Sequence, residues 1–292
     1  MGEGAALLLV GHGSRSQDGV DEYWELARLV SASLPGTDVG GGFIELAAPD
    51  LDTAVDRLVG RGAASVVATP VVLLAAGHLK NDGPAALHRA RHRHPGVRFR
   101  YARDLGVHPL VLSTACDRAR AALAPEATGG SADGVAGGQE AVVLVGRGSS
   151  DPDANSDLFK VARLVSDTGP APIVEAAFVS LAAPGVTAAL DRCLRLGATH
   201  VAVVPYFLFT GILVDRIGTQ AAEWSAANPG VRVTVGGHLG PDERIVRLLG
   251  ERYREAVDGD VRMNCDLCVY RQALPGHEHR VGVPVGDGHI HL

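Results

Sequence analysis

Short apolar runs alternate with amphipathic stretches along the first half of this chain. Leu7-Leu8-Leu9-Val10 reads as a buried strand, and the glycines on either side of His12 let the backbone turn sharply where that strand stops. Asp18–Leu34 carries Val20, Tyr23, Trp24, Ala27 and Val30 at helical spacing, and Val39–Leu46 predicts a second strand. Pro49–Gly60 predicts a helix that starts on proline, sets Leu51, Ala54, Val55 and Leu58 on one face, and stops at glycine. Ser65–Leu74 is an apolar, β-branched run of the kind covered on both faces. A helix over Asp82–Arg93, a strand at Val97–Ala102 and a helix at Pro109–Leu123 complete the series. Strands alternating with helices imply a parallel sheet wrapped on both sides.

The series occurs twice. Val145-Gly146-Arg147-Gly148-Ser149 repeats Val10-Gly11-His12-Gly13-Ser14 at an offset of 135 residues, and Phe178–Pro184 repeats Phe43–Pro49 at the same offset. Pro205 matches Pro70 in that register, and Pro229-Gly230-Val231-Arg232 matches Pro95-Gly96-Val97-Arg98 within one residue of it. Landmarks kept in step over such a distance identify an internal duplication. Between the copies, Ala124–Glu140 is rich in Gly, Ala and Ser, which is linker composition. The expected organisation is an N-terminal domain over 1–123, a flexible linker over 124–140, a degenerate repeat domain over 141–258, and a Cys- and His-rich tail over 259–292. The expected fold class is α/β, with two homologous open parallel-sheet domains facing a central cleft.

Composition narrows the function. A chain of 292 residues with 46% hydrophobic content can bury a core in each of two domains. A net charge of −6 and only 4% aromatic residues leave no basic stripe with interleaved rings, which argues against nucleic-acid binding. No basic lead-in followed by an apolar run suggests a signal peptide, and no stretch approaches a membrane span, so a cytoplasmic protein is expected. Cys116, Cys193, Cys265 and Cys268 are then thiols or metal ligands. All the basic residues except Lys80 and Lys160 are arginines, which suits bidentate gripping of carboxylates. No Gly-x-x-x-x-Gly-Lys-Ser/Thr run occurs, and Ser16 stands where a dinucleotide fingerprint needs its third glycine.

A duplicated chain lets each half serve as the other's control. At the end of the first strand the pair is His12 and Arg147; after the second it is Glu45 and Ser180; eight residues beyond the matched prolines it is His78 and Leu213. The first half therefore offers His, Glu and His at the carboxyl ends of three parallel strands, and the second half has none of them. Side chains at that rim of an α/β sheet can converge on a ligand. Two imidazoles and a carboxylate with open positions suit a divalent first-row metal, and the imidazoles are also bases near neutrality. A histidine phosphatase is the weaker alternative, since Gly11 stands where that chemistry wants an arginine.

His12 in Gly11-His12-Gly13-Ser14-Arg15, Glu45 in Phe43-Ile44-Glu45-Leu46-Ala47, His78 in Gly77-His78-Leu79-Lys80-Asn81-Asp82 and the run Gly146–Asn155 resemble the long, two-domain sirohydrochlorin chelatases. These are class II chelatases of the cobalamin and sirohaem pathways. The tail run Met263-Asn264-Cys265-Asp266-Leu267-Cys268 resembles the Met-x-Cys-x-x-Cys of the long form. The resemblance implies ATP-independent insertion of Co2+ or Fe2+, with Ni2+ also compatible, into a carboxylate-rich tetrapyrrole. It assigns His12 and His78 as metal ligands and proton acceptors, and Glu45 as a third ligand or proton relay. Ser14, Arg15, Lys80, Arg147 and Arg216 become candidates for holding acetate and propionate arms. Cys265 and Cys268 become candidate ligands of a [4Fe–4S] cluster, which ordinarily needs four. Cys116 and Cys193, on helices of separate predicted domains, read as small buried hydrophobes. His277, His279, His289 and His291 suit either delivery or storage of the ion, or a flexible tail of weak affinity. The expected partners are the tetrapyrrole alone, with no nucleic acid or membrane, and a monomer or weak homodimer. A carrier of the same fold that binds ring or metal without inserting it is the alternative.

Overall fold

A computed structural model describes residues 4–124 and 139–259, with His78 described by its backbone alone. The expected linker falls almost wholly outside these residues, as do Cys265, Cys268 and the tail histidines. The first repeat runs β1 (Ala6–Gly11), α1 (Gln17–Ser33), β2 (Val39–Phe43), α2 (Leu51–Gly60), β3 (Ser65–Pro70), α3 (Gly77–Arg93), β4 (Arg98–Tyr101) and α4 (Pro109–Leu123). The second runs β5 (Gln139–Gly146), α5 (Pro152–Thr168), β6 (Ile173–Phe178), α6 (Val186–Arg195), β7 (Ala198–Pro205), α7 (Ile212–Ala227), β8 (Arg232–Val235) and α8 (Glu243–Asp258).

Each repeat builds one four-stranded parallel sheet, in the order β2-β1-β3-β4 and β6-β5-β7-β8. The central strands β1 and β5 are buried from end to end apart from the first two residues of β5, as expected of strands covered on both faces. In the first sheet Leu8, Val10, Val66 and Ala68 pack with Val55, Leu58, Leu87 and Phe99. In the second, Val143, Val145 and Val203 pack with Leu190, Ile217 and Trp224, and the Trp224 indole donates to Asp191 at 2.8 Å. No helix among the described residues is long and apolar enough to cross a membrane.

Two element boundaries differ from the sequence expectation, and each has a local cause. The second strand ends at Phe43 and not at Leu46, because Leu46 takes φ 65°, a conformation that a pleated strand does not accommodate. The third helix begins at Gly77 and not at Asp82, with Pro84 inside it. Tertiary contact supports the added turn: the buried Tyr101 hydroxyl donates to the Leu79 carbonyl at 3.1 Å.

The compact units do not coincide with the repeats. The described residues of one unit come from Met1–Ser14, Ala27–Gly106 and Val246–Leu292, and those of the other from Arg15–Leu26 and Val107–Ile245. Each repeat thus gives its last helix to the unit that contains the other repeat's sheet. In the first unit α8 is clamped by Arg252, which is 2% exposed and donates to the carbonyls of Asp104 and Leu105, both at 2.8 Å. Tyr253 donates to the Ala5 carbonyl, and Arg103 grips Glu255 through Nε and Nη2 at 3.0 and 2.9 Å. In the second unit α4 packs on β7, and Arg118 of α4 donates to the His238 carbonyl at 2.9 Å. The amino-terminal half of α1 joins this unit through Glu22, which accepts from the Thr210 backbone N–H at 2.7 Å and lies 2.9 Å from His238 Nε2.

Burial alone would raise the Glu255 pKa, but hydrogen bonds and charge from Arg103 and Arg252 outweigh it and hold it below its ordinary 4.5. A carboxylate with a depressed folded-state pKa contributes stability that is present above its unfolded value and lost as pH falls through the folded one. Glu255→Gln is therefore expected to flatten the stability curve as pH falls below the ordinary 4.5 of the group, measured by urea unfolding.

Candidate metal-binding rim

The site is set by a backbone cradle at the carboxyl ends of β1 and β2. Beyond the strands the two loops stay in register: Ile44 N–H donates to the Gly11 carbonyl at 2.9 Å, and Glu45 N–H donates to the His12 carbonyl at 3.0 Å. Leu46 sits at the apex of a tight turn closed by Ala47 N–H donating to the Glu45 carbonyl at 2.8 Å. Gly13 has φ 100°, and a Cβ there would overlap the Glu45 carbonyl oxygen, so the glycine is required twice over.

The second repeat builds the same cradle. Val179 and Ser180 N–H groups donate to Gly146 and Arg147, Ala182 N–H donates to Ser180, Leu181 has φ 60°, and Gly148 lies against the Ser180 carbonyl. Only the side chains differ. His12 and Glu45 stand on one cradle, Arg147 and Ser180 on the other.

The structure brings His12 and Glu45 together, with Nε2 3.5 Å from Oε1 and side-chain exposures of 27% and 41%. His12 Nδ1 lies 3.4 Å from the Gly13 carbonyl oxygen. A proton or a cation held between Nε2 and the carboxylate would satisfy both groups. Two ligand atoms each about 2.1 Å from one ion stand about 3.4 Å apart at a tetrahedral angle. The observed gap has that size.

His78 is the second residue of α3, beyond the end of β3. Its place there is held by Tyr101, whose hydroxyl anchors the Leu79 carbonyl, and by Gly83, where a Cβ would overlap the Tyr101 ring and hydroxyl. Burial raises the Tyr101 pKa far above the ordinary tyrosine value, so the phenol keeps its donor proton. Sequence reasoning missed both residues. Tyr101→Phe is expected to cost about 1 kcal/mol and Gly83→Ala more, because the added Cβ would overlap the Tyr101 ring and hydroxyl. Both variants are expected to lose metal-insertion activity beyond their loss of stability, checked by assaying well below their unfolding midpoints.

The remaining expected residues divide between the units. Ser14 and Lys80 belong with His12, Glu45 and His78; Arg15, Arg147 and Arg216 belong to the other unit, and all three of these arginines are exposed. The run after Arg147 is fixed by its own hydrogen bonds. Asn155 donates to the Ser149 carbonyl at 2.7 Å and accepts from the Ser149 N–H at 2.9 Å, and Asp151 caps α5 by accepting from Asp153 N–H. That motif fixes a loop by backbone bonding.

Cys116 and Cys193 are buried, as expected, but both lie in the same unit and not in separate domains, because α4 packs with the second sheet. Burial first, and then the Glu175 charge, push the Cys193 thiol up to about 12. Cys116 Sγ lies 3.0 Å from Thr168 Oγ1. Among the described residues no group of three or more His, Cys, Asp or Glu is placed to hold an ion.

Comparison with known proteins bears on the whole chain. It is 35% identical over 280 residues to a sirohydrochlorin cobaltochelatase of Priestia megaterium, covering 93% of this chain and 86% of that one. It is 30% identical over 252 residues to a sirohydrochlorin ferrochelatase of Bacillus subtilis, covering 86% and 91%. Among solved structures it is similar to SirB from Bacillus subtilis with Fe3+, at TM-score 0.73 and 28% identity over 89% of this chain and 99% of that one. SirB from Bacillus subtilis subspecies spizizenii in complex with cobalt gives TM-score 0.70 at 28% identity, covering 87% and 96%. With the CbiX family matching residues 6–122 and again 141–256, repeat for repeat, the chain belongs to the CbiX family.

Proposed function

We propose that this protein is a sirohydrochlorin chelatase that inserts Co2+ or Fe2+ into the tetrapyrrole without nucleotide. The observation that carries the reading is the His12–Glu45 pair, 3.5 Å apart on a cradle whose duplicate lacks both groups. In this reading His12, Glu45 and His78 hold the incoming ion on one rim, loosely enough that pyrrole nitrogens replace them one at a time. Two ring N–H protons leave as two metal–nitrogen bonds form, and His12 and His78 accept them as each imidazole is released from the ion. Glu45, exposed beside His12, passes protons to water.

Arg147, Arg15 and Arg216 with Ser14 and Lys80 hold the carboxylate arms. Arginine suits that task because its planar fork pairs with a carboxylate through two N–H groups and cannot compete as a metal ligand.

The test is anaerobic incubation of the purified protein with sirohydrochlorin and Co2+ or Fe2+, following the absorbance change on insertion. Turnover well above the rate without protein is the expected result. Binding of the tetrapyrrole with no acceleration would identify a carrier and overturn the reading.

A further inference from the structure

We propose that His88 and His92, toward the carboxyl end of α3, form a second and peripheral site for a divalent late first-row transition-metal ion. The two residues are four apart on one helix, so their side chains share a face one turn from each other. Their Nε2 atoms lie 3.2 Å apart, with ring centroids 4.7 Å apart and ring planes at 82°. Two imidazole nitrogens each about 2.1 Å from one ion stand about 3.0 to 3.4 Å apart between right-angle and tetrahedral coordination. The pair therefore accepts an ion with little rearrangement.

The surroundings favour a cation more than the local count of basic residues suggests. Arg89 and Arg93 pair with Asp52 at 3.2 and 3.1 Å, Arg93 also reaches Asp56, and Arg91 donates to the Phe99 carbonyl. His94 lies 2.7 Å from Asp56. The site falls in the last two turns of α3, where the free carbonyls of a helix end attract positive charge. Both histidines are exposed, so water can fill the open coordination positions. No third His, Cys, Asp or Glu among the described residues joins them. A site of neutral nitrogen donors without a carboxylate ranks Cu2+ above Ni2+, and Ni2+ above Co2+ and Fe2+.

This pair is separate from the rim. Ten residues of helix, about 15 Å of rise, lie between the backbone positions of His78 and His88. The proposal stands whether or not the chelatase reading does, since it concerns binding alone.

Calorimetric titration of the full chain with Ni2+ tests it, using wild type, H88A, H92A and the double variant. The tail cysteines and histidines are common to all four and contribute equally. Loss of one equivalent of Ni2+ in each single variant, with no further loss in the double, is the expected result, because a chelate needs both arms. In the same wild-type protein, Cu2+ should broaden backbone amide resonances near His88 and His92, and H88A should abolish that broadening. Unchanged stoichiometry in either single variant, or broadening that survives H88A, overturns the site and leaves a hydrogen-bonded histidine pair.

Discussion

His12→Ala is expected to lower the rate of metal insertion by about a hundredfold to ten-thousandfold, the range lost when a positioned proton acceptor is removed. The ring is half-buried and lies 3.5 Å from the Glu45 carboxylate, so its loss should leave the unfolding midpoint nearly unchanged. His78→Ala is expected to fall in the same range. Glu45→Gln keeps the side chain's size and removes its charge, with an expected loss of roughly tenfold to a hundredfold, as for groups that orient or support a metal ligand. Arg147→Ala serves as the contrast, because an arm-holding arginine should raise KM more than it lowers kcat. The measurement is the initial rate with sirohydrochlorin and Co2+ under anaerobic conditions. A His12→Ala protein that folds normally and keeps the wild-type rate would sink the assignment of the rim.

Arg252→Ala is expected to lower stability by about 3 kcal/mol. The guanidinium is 2% exposed and satisfies two carbonyls, those of Asp104 and Leu105, while a third nitrogen donates to Glu255 at 2.9 Å. Truncation leaves buried acceptors without donors, at about 1 to 3 kcal/mol each, and opens a void beside them. For a unit of this size the midpoint should drop by roughly 6 to 12 °C. Arg252→Lys should recover only part of this, since an ammonium cannot fork across adjacent carbonyls. Arg61→Ala makes the comparison: its pair with Asp38 is half exposed, 48% and 41%, and such pairs are worth about 0 to 1 kcal/mol. Thermal unfolding of the three variants decides. An Arg252→Ala midpoint within 2 °C of wild type, a difference of about 1 kcal/mol or less, would show that α8 is not held to the first unit through this residue.

Much of the candidate site was legible because the chain is duplicated. The pairs His12 with Arg147 and Glu45 with Ser180 mark where two copies of one cradle diverge, and the structure shows that the cradles themselves are the same. Tyr101 and Gly83 were not legible as supports for His78, because nothing in a one-dimensional pattern says that a strand-end tyrosine reaches the first turn of a particular helix. The start of α3, expected at Asp82, lies at Gly77 for the same reason: contact with Tyr101 supports the added turn.

By itself the sequence determined the alternation of strand and helix, the parallel sheets and their duplication, and which rim carries metal-competent groups. Those features follow from side-chain periodicity, from turn residues with restricted backbone, and from the repeat, all local or self-comparing signals. Which sheet each terminal helix covers was decided only in three dimensions. Amphipathic faces on α4 and α8 announce that each helix must be buried, but an apolar stripe fits either sheet. The choice rests on contacts such as Arg252 with the Asp104 and Leu105 carbonyls and Arg118 with the His238 carbonyl, between residues more than a hundred positions apart.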